Sequence, residues 1–336
     1  MIQSIALSRR CLGGILLAGL PLVAATAQQP GHDVLPSWRD SPARQAILDF
    51  LVAVTDESSP DHVPAAERLA VFDNDGTLWP EQPMYTEVMF TLDRLQALAP
   101  QHPDWAGREP FRAALARDLP ALAQGGLRAL GEIVIAAQAE TTPDAFRRVV
   151  ADWMATARHP DFQRPYPDCT YQPMQEALAL FRAHGFQVCI ASGGTAEFMR
   201  AWTEQAYGVP ADQVIGSALK LQYQLQQDRG ELMQIAQLEI LNEGPAKPAE
   251  IFRRFGRRPI AAFGNSDGDY EMLQFTTTGP GRRLGVLIHH DDTEREYAYD
   301  RQSMVGRLDR GLTDAAGNGW QLVSMKQDWV RIFSAG

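Results

Sequence analysis

The chain of 336 residues carries 41 Asp and Glu against 31 Lys and Arg, a formal charge of −10 at pH 7. No cluster of lysine or arginine rises above a scattered background, which excludes nucleic acid as a partner class. The length is enough for one large domain with a smaller one inserted into it.

The first residues read as an export signal. Ser8-Arg9-Arg10 precedes an apolar stretch, residues 12–24, which glycines and Pro21 interrupt and Ala25-Thr26-Ala27 follows. A charged start, an apolar run and a small-residue cleavage site are the parts of such a signal, with cutting after Ala27. The run is shorter than the ~20 apolar residues of a spanning helix, and an uncleaved anchor is the alternative. A periplasmic or secreted protein is therefore expected, without stable membrane association after cleavage. The serine and arginine pair partly matches a twin-arginine leader. Cys11 lacks the small-residue approach of a lipidation site. Cys189, inside a strand-like run, reads as a buried small hydrophobe rather than as half of a disulfide with Cys169.

Ser41-Pro42 predicts an N-cap and first helical position, opening an amphipathic segment to about Thr55. Short apolar runs then alternate with helical patterns. Residues 69–73, 187–191, 213–215, 259–264 and 284–288 read as buried strands, and residues 173–184, 196–207, 248–255 and 268–275 as helices. That alternation predicts an α/β fold, a parallel sheet with helices on both faces. Residues 84–165 break the rhythm. They are rich in alanine, leucine and arginine at helical spacing, with prolines between segments, and predict an inserted helical domain. Residues 28–83 and 166–336 are left for the core. After Ser217, Leu219-Lys-Leu-Gln-Tyr-Gln-Leu225 alternates apolar and polar, Asp228-Arg229-Gly230 supplies a turn, and a second alternating run continues toward Leu241. This predicts a β-hairpin. Further helix and a strand at residues 320–324 close the domain.

Chemistry concentrates at strand ends. Val71-Phe-Asp-Asn-Asp-Gly-Thr-Leu78 ends an apolar strand in two carboxylates two residues apart, and Gly76 lets the chain curl around a ligand. Asp73 is placed to displace at phosphorus, and Asp75 to protonate the leaving oxygen and then activate water. Ile190-Ala-Ser192-Gly193-Gly194 brings a hydroxyl and free backbone amides to the same edge, suited to phosphate oxygens. Lys247 stands immediately before a predicted helix. Phe263-Gly-Asn265-Ser266-Asp267-Gly268-Asp269 ends a fourth strand in an acidic cluster suited to a hard cation. Each of these has a bland structural reading alone; their order, at the edge where an open α/β sheet binds ligands, joins them into one site.

Together the four segments resemble the haloacid dehalogenase superfamily of phosphohydrolases. Asp73 and Asp75 match its Asp-x-Asp-x-Thr motif, and Ser192, Lys247 and residues 264–269 match the second, third and fourth, so the resemblance runs from about Leu69 to Ile288. It implies a Rossmann-like core with a helical cap inserted between the first two motifs, and an aspartyl-phosphate mechanism with Mg2+. It also implies roles by position. Asp73 is the nucleophile and a magnesium ligand, and Asp75 is the acid and base with its carbonyl on the metal. Ser192, Gly193, Asn74 and Lys247 hold the phosphoryl oxygens. Where many relatives carry an aspartate after the glycine of the fourth motif, this chain has Asn265. Its amide carbonyl is the expected ligand, Asp269 supports it, and Asp267 is the competitor.

The Asp75 carboxylate, which dehalogenating relatives lack, favours hydrolysis of a small phosphomonoester; phosphoserine and phosphorylcholine phosphatases share the layout. A phosphotransferase with an alcohol acceptor and a non-catalytic phosphate-ligand binding protein are the rivals. Trp79, Glu81, Gln82, Tyr85 and Glu87 follow the first motif and are candidates for the cap interface and substrate specificity, where aromatic faces and a carboxylate suit an amino or quaternary ammonium substrate; packing of the cap hinge by Trp79 and Tyr85 is the alternative. His289-His290-Asp291-Asp292 reads as a solvated strand end rather than a metal cluster.

Overall fold

Ser41 and Pro42 start the first helix as expected. In the computed structural model, which describes residues 34–334, the Ser41 hydroxyl accepts the Arg44 amide at the head of α1, Pro42–Thr55. The export-signal reading of residues 1–27 lies outside the described residues. Ile47, Phe50, Leu51 and Val54 share the buried face of α1, the spacing of an amphipathic helix.

Strand β1, Leu69–Phe72, is buried throughout. Five helices follow: α2, Thr86–Leu98; α3, Phe111–Leu115; α4, Leu119–Gln124; α5, Gly126–Gln138; and α6, Pro143–Met154. They occupy the segment read as a helical insertion. The chain then runs through α7, Gln172–Ala183, and β2, Gln187–Thr195. The single helix expected over residues 196–207 is two short ones, α8, Ala196–Arg200, and α9, Thr203–Tyr207. The break falls at Trp202, whose buried indole stacks on Trp79 at 4.2 Å.

Strand β3, Val214–Gln226, does not stop at residue 215. It continues straight into the hairpin and pairs antiparallel with β4, Arg229–Ile240. The hairpin turn is Gln227-Asp228, both at positive φ (49° and 63°), and not Asp228-Arg229-Gly230. Two central residues at positive φ match the right-handed twist of the flanking strands. Next come α10, Ala246–Phe255; β5, Ala261–Gly264; α11, Tyr270–Thr277; and β6, Leu284–Asp291. The chain closes with β7, Ala298–Tyr299; α12, Arg310–Asp314; β8, Gln321–Ser324; and α13, Met325–Asp328.

The sheet runs β4-β3-β2-β1-β5-β6-β7, with β8 also on β6. Its centre is parallel: Phe72 stands opposite Ile190 on one side and Phe263 on the other. Register therefore brings the residues that follow these three, Asp73, Ala191-Ser192 and Gly264-Asn265, to one edge. Below that edge Phe72 stacks on Phe263 at 4.3 Å, and Phe181 meets both rings edge-on. Cys169 and Cys189 are both buried and free.

Candidate active site

The chain leaves β1 still attached to the sheet, because the Asp73 amide donates to the Phe263 carbonyl at 2.9 Å. It then turns tightly. The Thr77 and Leu78 amides donate to the Asn74 carbonyl, and the Gly76 amide to the Trp79 carbonyl. Gly76 lies at φ +75°, and a Cβ there would stand 2.1 Å from Asn265 Nδ2, so both conformation and space require glycine.

Asp73 meets a cation within this edge. Lys247 Nζ, on the first turn of α10, donates to Asp73 Oδ1 at 2.7 Å and to Asp269 Oδ1 at 2.6 Å, with all three side chains buried. Burial, and the Asp269 carboxylate next to it, push the Asp73 carboxyl well above the usual range, against the pull of Lys247. Burial works against the Lys247 charge too, but the Asp269 and Asp73 carboxylates outweigh it and hold its pKa above the ordinary value. Asp269 is fully engaged, since Oδ2 accepts the Asn265 and Ser266 amides at 3.0 and 3.1 Å.

Asp75 accepts from Trp79 Nε1 at 2.8 Å, and burial pushes its pKa to about 6. Asn74 also donates to it, leaving the Asn74 Oδ1 atom buried without a partner. Across the edge, Ser192 Oγ accepts the Gly194 amide at 3.1 Å, and its turn is braced from beneath. Asn242 Nδ2 donates to the Ser192 carbonyl at 2.9 Å, and Ser217 Oγ to the Gly193 carbonyl at 2.7 Å. Asp73, Asp75, Ser192, Gly193 and Lys247 line one cavity of about 570 Å3, together with Glu81, Tyr85, Glu87 and Glu243.

Asn265 lies behind the turn. Its Oδ1 accepts from Thr77 Oγ1 at 3.0 Å and its Nδ2 donates to Glu81 Oε1 at 2.6 Å. The Asp267 carboxylate accepts the Asp309, Arg310 and Gly311 amides and so secures the start of α12. Among the described residues no three His, Cys, Asp or Glu side chains converge as a metal nest. The donors expected from the sequence are mixed: the Asp73 carboxylate, the Asp75 carbonyl and the Asn265 amide, whose Oδ1 also accepts from Thr77 Oγ1. That set suits a hard cation. So does the charge, because Asp73, Asp75, Glu81, Glu243 and Asp269 interact around the Lys247 ammonium.

The sequence offered Glu81 and Glu87 as cap-interface candidates but gave no sign of their burial, and it gave no signal for Glu243. Glu81 sits beneath the turn, bonded by Tyr299 Oη at 2.8 Å, and burial, with Asp75 and Asp73 near, holds its carboxyl well above the usual range. Glu87 accepts the Thr195 amide at 2.8 Å and Gln138 Nε2 at 2.9 Å, tying α2, α5 and the end of β2 together; burial pushes it to about 7. Trp79, expected at the substrate interface, is instead core: it packs on Trp202 and orients Asp75. Gln82 spends its amide on Ser303 and the Val305 carbonyl. Tyr85 does line the cavity.

The solvated reading of residues 289–292 is corrected as well. His290 and Asp292 are each 2% exposed, because β7 folds back over β6 and pairs His290 with Tyr299. His290 Nε2 lies 2.7 Å from the Gly76 carbonyl and Nδ1 3.1 Å from Glu296 Oε2. Tyr171 Oη donates to the other Glu296 oxygen at 2.9 Å. The imidazole thus pins the turn that carries Asp73 and Asp75.

Residues 70–274 match the model of the haloacid dehalogenase-like hydrolases. No curated protein matches the chain. Among solved structures, a conserved functionally unknown protein from Anaerococcus prevotii DSM 20548 is similar at 13% identity and a TM-score of 0.52, over 83% of this chain and 91% of that one. A protein of unknown function from Bordetella pertussis Tohama I is 15% identical over 76% of this chain and 98% of its own, with a TM-score of 0.48. A probable phosphoserine phosphatase from Vibrio cholerae is 17% identical over 77% of this chain and 67% of its own, with a TM-score of 0.37. The first of these likenesses shows a shared fold. By the family match, which spans more than half of its length, the chain belongs to the haloacid dehalogenase-like hydrolases.

Proposed function

We propose that this hydrolase is an exported, magnesium-dependent phosphomonoesterase that works through a phosphorylated Asp73. The observation that carries the proposal is the buried bridge of Lys247 between Asp73 and Asp269, with a protonatable Asp75 two residues away on the same turn. The free oxygen of Asp73 attacks phosphorus and the bond to the ester oxygen breaks. Asp75, as the acid, gives its proton to the departing alcohol. The same group, now a carboxylate, takes a proton from the water that attacks the acyl phosphate. Inorganic phosphate leaves, and the Asp73 carboxylate and the Asp75 acid are restored.

Ser192, the Gly193 amide, Asn74 and Lys247 hold the phosphoryl oxygens, and the Lys247 charge opposes the charge they gather in the transition state. Asp73, the Asp75 carbonyl and Asn265 would hold magnesium, with Asp269 fixing the Asn265 backbone. When bound, the ion supplies Lewis-acid neutralisation of the phosphoryl group. Residues 84–165 act as a cap on a core of residues 28–83 and 166–336 and exclude water from the site. The export half rests on residues 1–27 alone. Hydrolysis of small phosphate esters in magnesium, lost with a chelator and in Asp73→Asn, is the expected result. Turnover that survives Asp73→Asn would sink the proposal, and a protein that binds esters without hydrolysing them would be the binding protein instead.

A further inference from the structure

The cavity is lined by two kinds of group. Beside the polar set of Asp73, Asp75, Ser192 and Lys247, hydrocarbon comes from Val88 of α2, Leu130, Val134 and Ile135 of α5, Leu219 of β3 and Leu238 of β4. Tyr85 is its one aromatic ring among the described residues. A planar base would find little to stack on. The volume of about 570 Å3 lies within the range of small-molecule sites, and a bare phosphate group would fill only a fraction of it.

Helix α5 accounts for much of this wall. Leu130, Ile133 and Ala137 are buried, as one apolar face of a packed helix should be. A second apolar face, Leu127, Gly131, Val134 and Ile135, follows the i, i+4, i+7, i+8 spacing and borders the cavity. At the mouth, Leu127, Leu238 and Leu241 are 56%, 37% and 47% exposed, and clustered exposed apolar groups mark a binding surface. Gly131 leaves the volume open, since a Cβ there would meet no heavy atom within 4 Å.

The acidic groups of the lining do not contradict this. Glu81 is held by Asn265 and Tyr299, Glu87 by Thr195 and Gln138, and Glu243 lies against Gly193 at the phosphate end. Arg128 and Glu132 are exposed at the rim. We infer, resting on the phosphomonoesterase reading above, that the substrate is the phosphate ester of an aliphatic alcohol, its phosphate at Asp73 and its chain between α2, α5 and the β3–β4 hairpin.

Calorimetric binding of ethyl-, butyl-, hexyl- and octylphosphonate to the protein in magnesium buffer tests this. The carbon–phosphorus bond is not an ester, so binding is read whether or not the protein turns esters over. Affinity should rise by roughly fourfold per buried methylene until the chain fills the volume. Gly131→Leu, which improves helix propensity, should fill that space, weakening octylphosphonate by about tenfold and leaving ethylphosphonate unchanged. Affinity that is flat with chain length would overturn the inference. So would 2-aminoethylphosphonate binding more tightly than octylphosphonate, or Gly131→Leu leaving octylphosphonate unaffected. Loss of hydrolysis in a parallel ester assay counts against the phosphomonoesterase reading alone.

Discussion

In the proposed mechanism Asp75 serves as acid and then base, and burial holds its pKa at about 6 while Trp79 and Asn74 steady its ionised form. One group serving two steps makes a sharp prediction. Asp75→Asn should slow both formation and breakdown of the phosphoenzyme, each by about 10²–10⁴, on an ester with a poor leaving group. Full turnover in pre-steady-state assays of that variant would refute the assignment. Glu87 supports a second prediction, in stability. Burial raises it to about 7 from an ordinary 4.5, so between those values the folded chain holds a proton that the unfolded chain releases. The stability that Glu87 contributes is therefore complete below about pH 4.5 and lost as pH rises through 7, on the order of 3 kcal/mol. Urea titrations should show Glu87→Gln with a flatter dependence and the higher midpoint at pH 8. Parallel curves for the two proteins would refute this.

At the scale of elements, the turn after β1 depends on what presses against it. His290 from β6 grips the Gly76 carbonyl, and Asn265 with Glu81 fills the space where a Gly76 side chain would go. Gly76→Ala should therefore cost at least ~2 kcal/mol in urea denaturation and displace both carboxylates. An unshifted midpoint would show that the turn is not so confined. The strand ends of this region were legible because each is an apolar run stopped by small or charged residues. His290 was not, because its burial comes from β7, a two-residue strand with no apolar signature. The hairpin itself was legible from alternation, but its turn was not. Gly230, which resembles a turn glycine, instead makes room for the Tyr223 ring across the ladder, where a Cβ would stand 2.7 Å from that ring. The bend falls on Gln227-Asp228.

Over the whole molecule, order along the chain carried more information than any single segment. Asp73, Ser192 and Lys247 lie far apart in sequence and line one cavity, because parallel register brings the ends of β1 and β2 together and α10 closes over them. What order could not convey is the environment. Glu81, Glu87 and Glu243 are acidic positions whose burial comes from groups distant along the chain: Tyr299 and Asn265 on Glu81, Gln138 and Thr195 on Glu87, and Gly193 and Gly268 against Glu243. The excess of buried carboxylates over Lys247 is a property of that assembly, and it is the feature that magnesium would balance. Phosphorylation of Asp73 is tested by quenching the protein within milliseconds of mixing with a radiolabelled phosphomonoester in magnesium and mapping the label by peptide mass spectrometry. One acid-stable, base-labile phosphoryl group is expected on the peptide that contains Asp73, absent from Asp73→Asn. A label on any other residue, or ester turnover with no label at all, would contradict Asp73 as the nucleophile.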